Sequence, residues 1–228
     1  MSSSFKTFLK HAAKDFHNQS VNPPVVRAST IIFKSTKDIR KTQANAQKNP
    51  IGGHYDYARQ GTSTTYILQK ILTKLEESYH VFTTPTGFGA VFLAIFSVTR
   101  PGDEIIAADP LYSPTRILTE NFLKDFNIKT TFYNPHDLKS LEKNITKKTK
   151  AIICMHYGGL PCDIDELQSL AKKHNIPLIE DAAHAIGATY KKKPIGSIID
   201  STLLSPLSLI HISEPTRPER ISYAVFCL

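Results

Sequence analysis

Apolar residues at 67, 68, 71, 72 and 75 fall on one face of a 3.6-residue period, so the stretch Thr62–Tyr79 predicts an amphipathic helix with Thr62 or Ser63 as its N-cap. The next block, Gly87–Thr99, is almost wholly apolar and predicts a buried helix. Beyond it, short apolar runs alternate with helical patterns. Strands are predicted at Glu104–Ala108, Lys129–Tyr133, Lys150–Cys154 and Pro177–Glu180, and helices at Pro114–Phe126, His136–Ile145 and Asp163–His174. This alternation predicts βαβ units and a buried, mostly parallel sheet, an α/β fold. Such sheets bind ligands beyond the carboxyl ends of their strands, which directs attention to the residues just after each strand.

The flanks differ from this pattern. Residues 1–61 are polar, with turn formers at Asn22-Pro23-Pro24, Asn49-Pro50 and Gly52-Gly53, and read as an extended arm with few helices of its own. Residues 206–228 show no helical or alternating period, and prolines interrupt the candidate elements. That tail resembles translated sequencing-adaptor read-through, so the native sequence is expected to stop near Ser205, with 206–228 non-native or disordered. The expected organisation is an arm (1–61), a large domain (62–205) and the tail.

Length and composition narrow the classes. The 228 residues suit one large domain or two small ones, and 41% hydrophobic content excludes collagen, a disordered chain or a disulfide scaffold. The net charge of +8 rests on scattered Lys rather than on Arg gathered with aromatics, and the tail's charges cancel. It reads as a Lys-rich surface, with no nucleic-acid partner expected. No apolar run approaches the roughly 18 residues of a membrane span, and the first residues lack the apolar core of a signal peptide. Cys154, Cys162 and Cys227 have no paired spacing, which favours a reducing compartment and predicts a cytoplasmic protein.

Four groups fall where the sheet rule points. Arg59 beside Tyr57 and Gly61 is either a phosphate clamp, through paired charge-assisted hydrogen bonds, or a surface Arg. Gly87 and Gly89 open the apolar helix, either as a cradle for a phosphate at the helix N-terminus or as a plain Gly-containing start. Tyr112, after the strand at 104–108, can lie against a flat heteroaromatic ligand or pack as a turn tyrosine. Glu180 and Asp181 end a buried strand, where an acid is costly without a cationic partner, so Asp181 invites a protonated ring nitrogen and His184 lies close by. Cys154, His156, Cys162, His174 and His184 have no recognised zinc spacing, so no metal is expected.

These residues resemble pyridoxal-phosphate enzymes of the aspartate-aminotransferase-like fold, but of two families. Residues 22–135 are similar to the sulfur amino-acid (Cys/Met metabolism) family of cystathionine β-lyase and γ-synthase, through NPPVVRASTIIF, YDYARQGTSTTYILQ, TGFGA, PGDEIIAADPLYSPTR and KTTFYNP. Residues 137–205 resemble instead the sugar aminotransferases that make amino-deoxy sugars on nucleotide carriers, through TKAIICMHYGGLPCDIDELQSLAKKHNIPLIEDAAHAIGATYKKKPIGS. A join between two genes within 127–149, or one divergent family with mixed motifs, accounts for the change.

The resemblance implies an incomplete large domain of a pyridoxal 5′-phosphate enzyme, a small amino-acid substrate and a homodimer or tetramer. It implies that Tyr57 and Arg59 reach the cofactor phosphate of a neighbouring subunit. Gly87 and the Phe88 N–H would hold the phosphate of their own subunit, Tyr112 would stack on the ring, and Asp181 would pair with its nitrogen. His184 would lie near the phenolic oxygen, and Ser205 would bind phosphate. Three activities follow as expectations: a cystathionine β-lyase-like carbon–sulfur lyase, a nucleotide-sugar aminotransferase, or an inactive truncated chain. The third arises because both families attach the cofactor through a Lys soon after the Ser205 motif, whereas the last Lys here is Lys193. No residue of the chain is therefore assigned as catalytic.

Overall fold

The computed structural model describes residues 22–48, 56–75, 78–196, 198, 201–204 and 224–227, which fall into two units, 1–81 and 82–228. In the first unit, helix α1 (Thr36–Lys48) is a finding that the arm reading did not include. Ser35 caps it: its Oγ accepts the Asp38 N–H at 3.2 Å and donates to Asp38 Oδ2 at 2.8 Å. Its Lys, Gln and Ala content favours helix, yet it buries no residue and so carries no apolar stripe for periodicity to detect. Helix α2 (Ser63–Leu75) is the predicted amphipathic helix. Thr64 Oγ1 accepts the Val26 N–H at 2.9 Å and donates to Pro24 O at 3.1 Å, tying the NPPVV segment to the first turn of α2.

The second unit follows the predicted alternation. Strand β1 (Val81–Thr84) leads into α3 (Gly87–Val98) and β2 (Glu104–Ala108). Next come α4 (Ser113–Ile117), a π-helical turn (Leu118–Phe122), α5 (Leu123–Asp125) and β3 (Lys129–Tyr133). Helix α6 (Leu138–Asn144), β4 (Thr149–Met155), α7 (Ile164–His174) and β5 (Leu178–Asp181) complete the βαβ series. The predicted helix Pro114–Phe126 is thus one run interrupted by a π turn. That turn carries Phe122 to the Phe92–Phe96 stack, with its ring centroid 5.8 Å from Phe92 and 4.9 Å from Phe126. Strand β1 was not predicted, because two of its four residues are Thr and it is mostly half-buried.

Strands β6 (Thr189–Tyr190) and β7 (Lys193–Pro194) form a small hairpin turned by Lys191 and Lys192, both with positive φ. The Lys191–Lys193 run is therefore the surface turn that the sequence suggests. Strand β8 (Ser201–Leu204) pairs with β5, and β9 (Ala224–Cys227) pairs antiparallel with β8. A strand after the prolines of the tail was not expected. Ala224-Val-Phe-Cys is apolar and β-prone, which suits a strand inside a sheet.

The sheet order is β1-β9-β8-β5-β4-β2-β3. Parallel pairing holds Ile105 beside Ala151, Ile153 beside Ile179 and Met155 beside Asp181. Successive side chains alternate between faces. Ile105, Ala107, Ala151, Ile153 and Ile179 pack with Ala90, Val91, Ala94 and Ile95 of α3. Ile106, Ala108, Ile152, Cys154 and Leu178 pack on the opposite face with Leu141 of α6 and Leu167 and Ala171 of α7. Each fully buried Ile or Leu contributes about 1.5–3 kcal/mol. The same alternation puts Asp181 on the α3 face and Glu180 on the α6–α7 face.

Candidate functional site

Helix α3 begins at the carboxyl end of β1. Thr86 caps it, its Oγ1 accepting the Gly89 N–H at 2.9 Å, and Thr84 Oγ1 donates to Thr86 O at 2.8 Å. The cap takes one of the first-turn N–H groups, while those of Gly87 and Phe88 have no acceptor within the helix. A Cβ at Gly89 would stand 3.1 Å from Thr86 Oγ1, so the tight start of α3 favours glycine there. Helix-dipole and N–H geometry together make this end of α3 receptive to an anion.

Tyr112 follows β2 and is 49% exposed, with its ring available for contact. Arg116 holds the loop that bears it. The Arg116 Nη1 donates to Asp109 O at 3.0 Å and Asp109 Oδ1 at 2.9 Å, Nε donates to Glu120 Oε1 at 2.8 Å, and the guanidinium lies 4.4 Å from the centre of the Phe132 ring. These carboxylates raise the Arg116 pKa further above its usual value. Sequence reasoning assigned Arg116 no role.

Asp181 ends β5 on the α3 face and is 5% exposed. Burial raises its carboxyl pKa above the usual value, against the opposing influence of the Ala183 N–H, which Oδ1 accepts at 3.2 Å, and of nearby His184. His184 is exposed, with its ring edge-on to Tyr157 at 6.2 Å. Gly159, at φ +82°, passes under this loop; a Cβ there would stand 3.0 Å from His184 O.

Glu180 has a different mate, which sequence reasoning missed. His156 leaves β4 one residue beyond its end, and both side chains are completely buried, with Nε2 2.5 Å from Glu180 Oε1. The Cys162 N–H donates to His156 Nδ1 at 3.0 Å, which needs the lone pair on that nitrogen. We therefore assign the proton to Nε2, which donates it to Glu180. The backbone N–H of His156 donates to Asp181 O at 3.0 Å. Cys162 Sγ donates to Met155 O at 3.0 Å, and its contact with Cys154, added to full burial, raises the Cys154 pKa well above the usual thiol value. Applying the strand-end rule to β4 points to His156; its partner is visible only once β4 and β5 are paired in register.

A cavity of about 700 Å³ opens on this side of the sheet, lined by Cys162, Tyr157, Leu160, His136 and Asp137 among others. Leu138 of α6, Glu166 of α7 and Met155, the neighbour of Asp181 in the sheet, also line it. Among the described residues, no group of three His, Cys, Asp or Glu side chains is arranged to hold a metal ion. None of the described helices is long and apolar enough to cross a membrane.

The predicted residues thus divide. Tyr112, Asp181 and His184 belong to the carboxyl edge of the parallel strands β2 and β5, and Gly87 and Phe88 follow the carboxyl end of β1. Tyr57 and Arg59 belong to the first unit, where the Arg59 guanidinium lies 5.6 Å from the Tyr57 ring centre and the Gln60 N–H donates to Tyr57 O at 3.0 Å. Gly61 follows them; a Cβ there would come within 2.6 Å of the end of the Tyr66 side chain, so the turn after Arg59 favours glycine. Ser205 lies outside the described residues.

Comparison with known proteins adds family and fold. The family model for Cys/Met metabolism PLP-dependent enzymes matches residues 6–206, a span that includes 127–149. A Saccharomyces cerevisiae protein described as a cystathionine beta-lyase is 32% identical over 164 residues, 71% of this chain and 45% of its own. The GDP-perosamine synthase of Caulobacter vibrioides is 32% identical over 174 residues, 68% of this chain and 45% of its own. The solved structure of cystathionine gamma-lyase from Lactobacillus plantarum, complexed with L-serine, superposes with a TM-score of 0.76 at 25% identity, covering all of this chain and 55% of that one. A Campylobacter jejuni protein described as an O-acetylhomoserine (thiol)-lyase superposes with a TM-score of 0.79 at 24% identity, over 98% of this chain and 53% of that one, and shows the same fold. The chain spans about half the length of the relatives it matches. On the family match, supported by the parallel sheet and its carboxyl edge, this chain belongs to the Cys/Met metabolism PLP-dependent enzymes.

Proposed function

We propose that the chain is the cofactor-binding part of a carbon–sulfur lyase of the cystathionine β-lyase kind, acting on a sulfur-containing amino acid. The observation that carries this reading is Asp181. It is a buried carboxylate with acceptor capacity beyond the Ala183 N–H, on the same sheet face as the open N–H groups of α3. A buried acid of this kind suits a protonated pyridine nitrogen, and the α3 N-terminus suits a phosphate. The residues present therefore fit pyridoxal 5′-phosphate.

In this reading the Gly87 and Phe88 N–H groups hold the phosphate, Tyr112 covers the ring and Asp181 keeps the ring nitrogen protonated. His184 lies near the phenolic oxygen, and Ser205 adds a phosphate contact. Tyr57 and Arg59 extend to the phosphate of a neighbouring subunit, which makes the working protein at least a dimer. Bound pyridoxal phosphate supplies an electron sink for charge that develops at the substrate Cα. Arg116 keeps the Tyr112 loop in place through Asp109. Release of a keto acid and ammonia from cystathionine by the whole enzyme of which this chain is the cofactor-binding part supports the lyase. A folded monomer with full cofactor affinity would remove the cross-subunit role of Tyr57 and Arg59.

A second reading draws on one segment. EDAAHAIGA, with Asp181 and His184, and the match to GDP-perosamine synthase favour a nucleotide-sugar aminotransferase. Glutamate-dependent amination of a keto-sugar nucleotide distinguishes it from the lyase. In either case no Lys follows Lys193, so we infer that these 228 residues alone bind the cofactor without turning over substrate. Borohydride reduction that fixed the cofactor to any Lys of the chain would refute that inference.

A further inference from the structure

Of the two acids that end β5, Glu180 has no part in the contacts proposed above, yet it is the more deeply buried, at 0% exposure. A carboxylate is strongly unfavourable in such a place unless a partner holds it, so its pairing with an equally buried His156 needs explaining. We propose that His156 is a positioning residue: with Glu180, it fixes the carboxyl end of β5 so that the Asp181 carboxylate faces the cofactor ring nitrogen. This deepens, and rests on, the cofactor reading of Asp181.

Three hydrogen bonds make His156 the junction. Its backbone N–H donates to Asp181 O at 3.0 Å, its Nε2 to Glu180 Oε1 at 2.5 Å, and its Nδ1 accepts from Cys162 N at 3.0 Å. Two successive residues of β5 are therefore gripped from one residue of the neighbouring chain segment, Glu180 by its side chain and Asp181 by its backbone. Side chains on a strand alternate in direction, so holding Glu180 toward α6 and α7 holds Asp181 toward α3. Charge-assisted hydrogen bonds in a dry interior are strong and directional, which suits them to fixing an orientation. The third bond anchors the junction itself to the Pro161–Cys162 segment, so His156 cannot turn without breaking that contact.

The test uses two probes that need no lysine: pyridoxamine 5′-phosphate, and its N1-methylated analogue, which cannot donate an N–H to Asp181. Both are titrated against the full chain and against Glu180→Gln and His156→Gln, which keep hydrogen-bonding groups but disturb the charged junction. Melting curves check folding. The unsubstituted chain should prefer the unmethylated probe by about tenfold or more, the equivalent of one charged hydrogen bond. Each variant should lower that preference by about threefold to tenfold while its affinity for the methylated probe stays constant. Equal weakening of both probes, an unchanged preference, or failure of both variants to fold would assign the pair to stability alone and overturn the proposal. A chain that binds neither probe before substitution would instead refute the cofactor reading, and this inference with it.

Discussion

Gly159 and His184 come so close that a single added carbon on the glycine would stand 3.0 Å from the histidine's carbonyl oxygen, and Gly159 holds φ at +82°. The loop after β4 and the loop after β5 are therefore shaped to each other. Gly159→Ala adds the cost of a left-handed backbone, about 1–2 kcal/mol, to a contact that must open. Urea denaturation should show a loss of at least that size, and binding of pyridoxamine 5′-phosphate should weaken as the His184 loop shifts.

Asp181→Asn separates stability from binding. Burial raises the Asp181 pKa in the folded state, so the folded chain holds this proton more tightly than the unfolded chain does. The resulting stability is present below the ordinary value of 3.8 and is lost as pH rises from there through the raised folded value. Asn removes this loss, so the melting temperature of the unliganded variant should equal or exceed that of the parent above that window, with a flatter pH profile. Affinity for pyridoxamine 5′-phosphate should fall about 10- to 100-fold, as expected for one charged hydrogen bond. Retained affinity would exclude Asp181 as the ring-nitrogen partner.

Thr86→Ala removes the cap of α3. A lost N-cap costs about 1 kcal/mol and frees the Gly89 N–H. Chemical denaturation should report that loss, while Thr86→Ser should restore most of it, because the serine hydroxyl makes the same contact.

Tyr133→Phe should be neutral or stabilising by about 1 kcal/mol, since a buried polar group without a partner costs more than the apolar ring that replaces it. The Tyr133 hydroxyl is buried without a hydrogen-bond partner in the structure, and burial raises its pKa. A marked destabilisation would show that this hydroxyl has a partner in solution.

Periodicity made β2 through β5 and their helices legible, because β2, β4 and β5 are apolar runs buried on both faces, β3 is a short β-prone run between helical patterns, and the helices carry apolar stripes. It could not reveal α1, whose side chains bury nothing, and Ser35 with Asp38 was the local signal for it. Strands β1 and β9 are short and depend on neighbours distant in sequence. The same limit applies to the site. Asp181 could be singled out because an acid at a buried strand end is conspicuous. The partner of Glu180 could not, because His156 lies 24 residues away and becomes its neighbour only through the parallel register of β4 and β5.

The strand order also sets a sequence of events in folding. The β2–β3 and β4–β5 pairs each join adjacent strands through one crossover, and the β3–β4 connection passes only over β2, so these loops close early and at modest entropic cost. The flank containing β8 and β9 is completed by the last described segment of the chain. During synthesis, the βαβ core can assemble while that flank still waits for its strand, leaving the open edge of β5 exposed to other chains until β8 arrives.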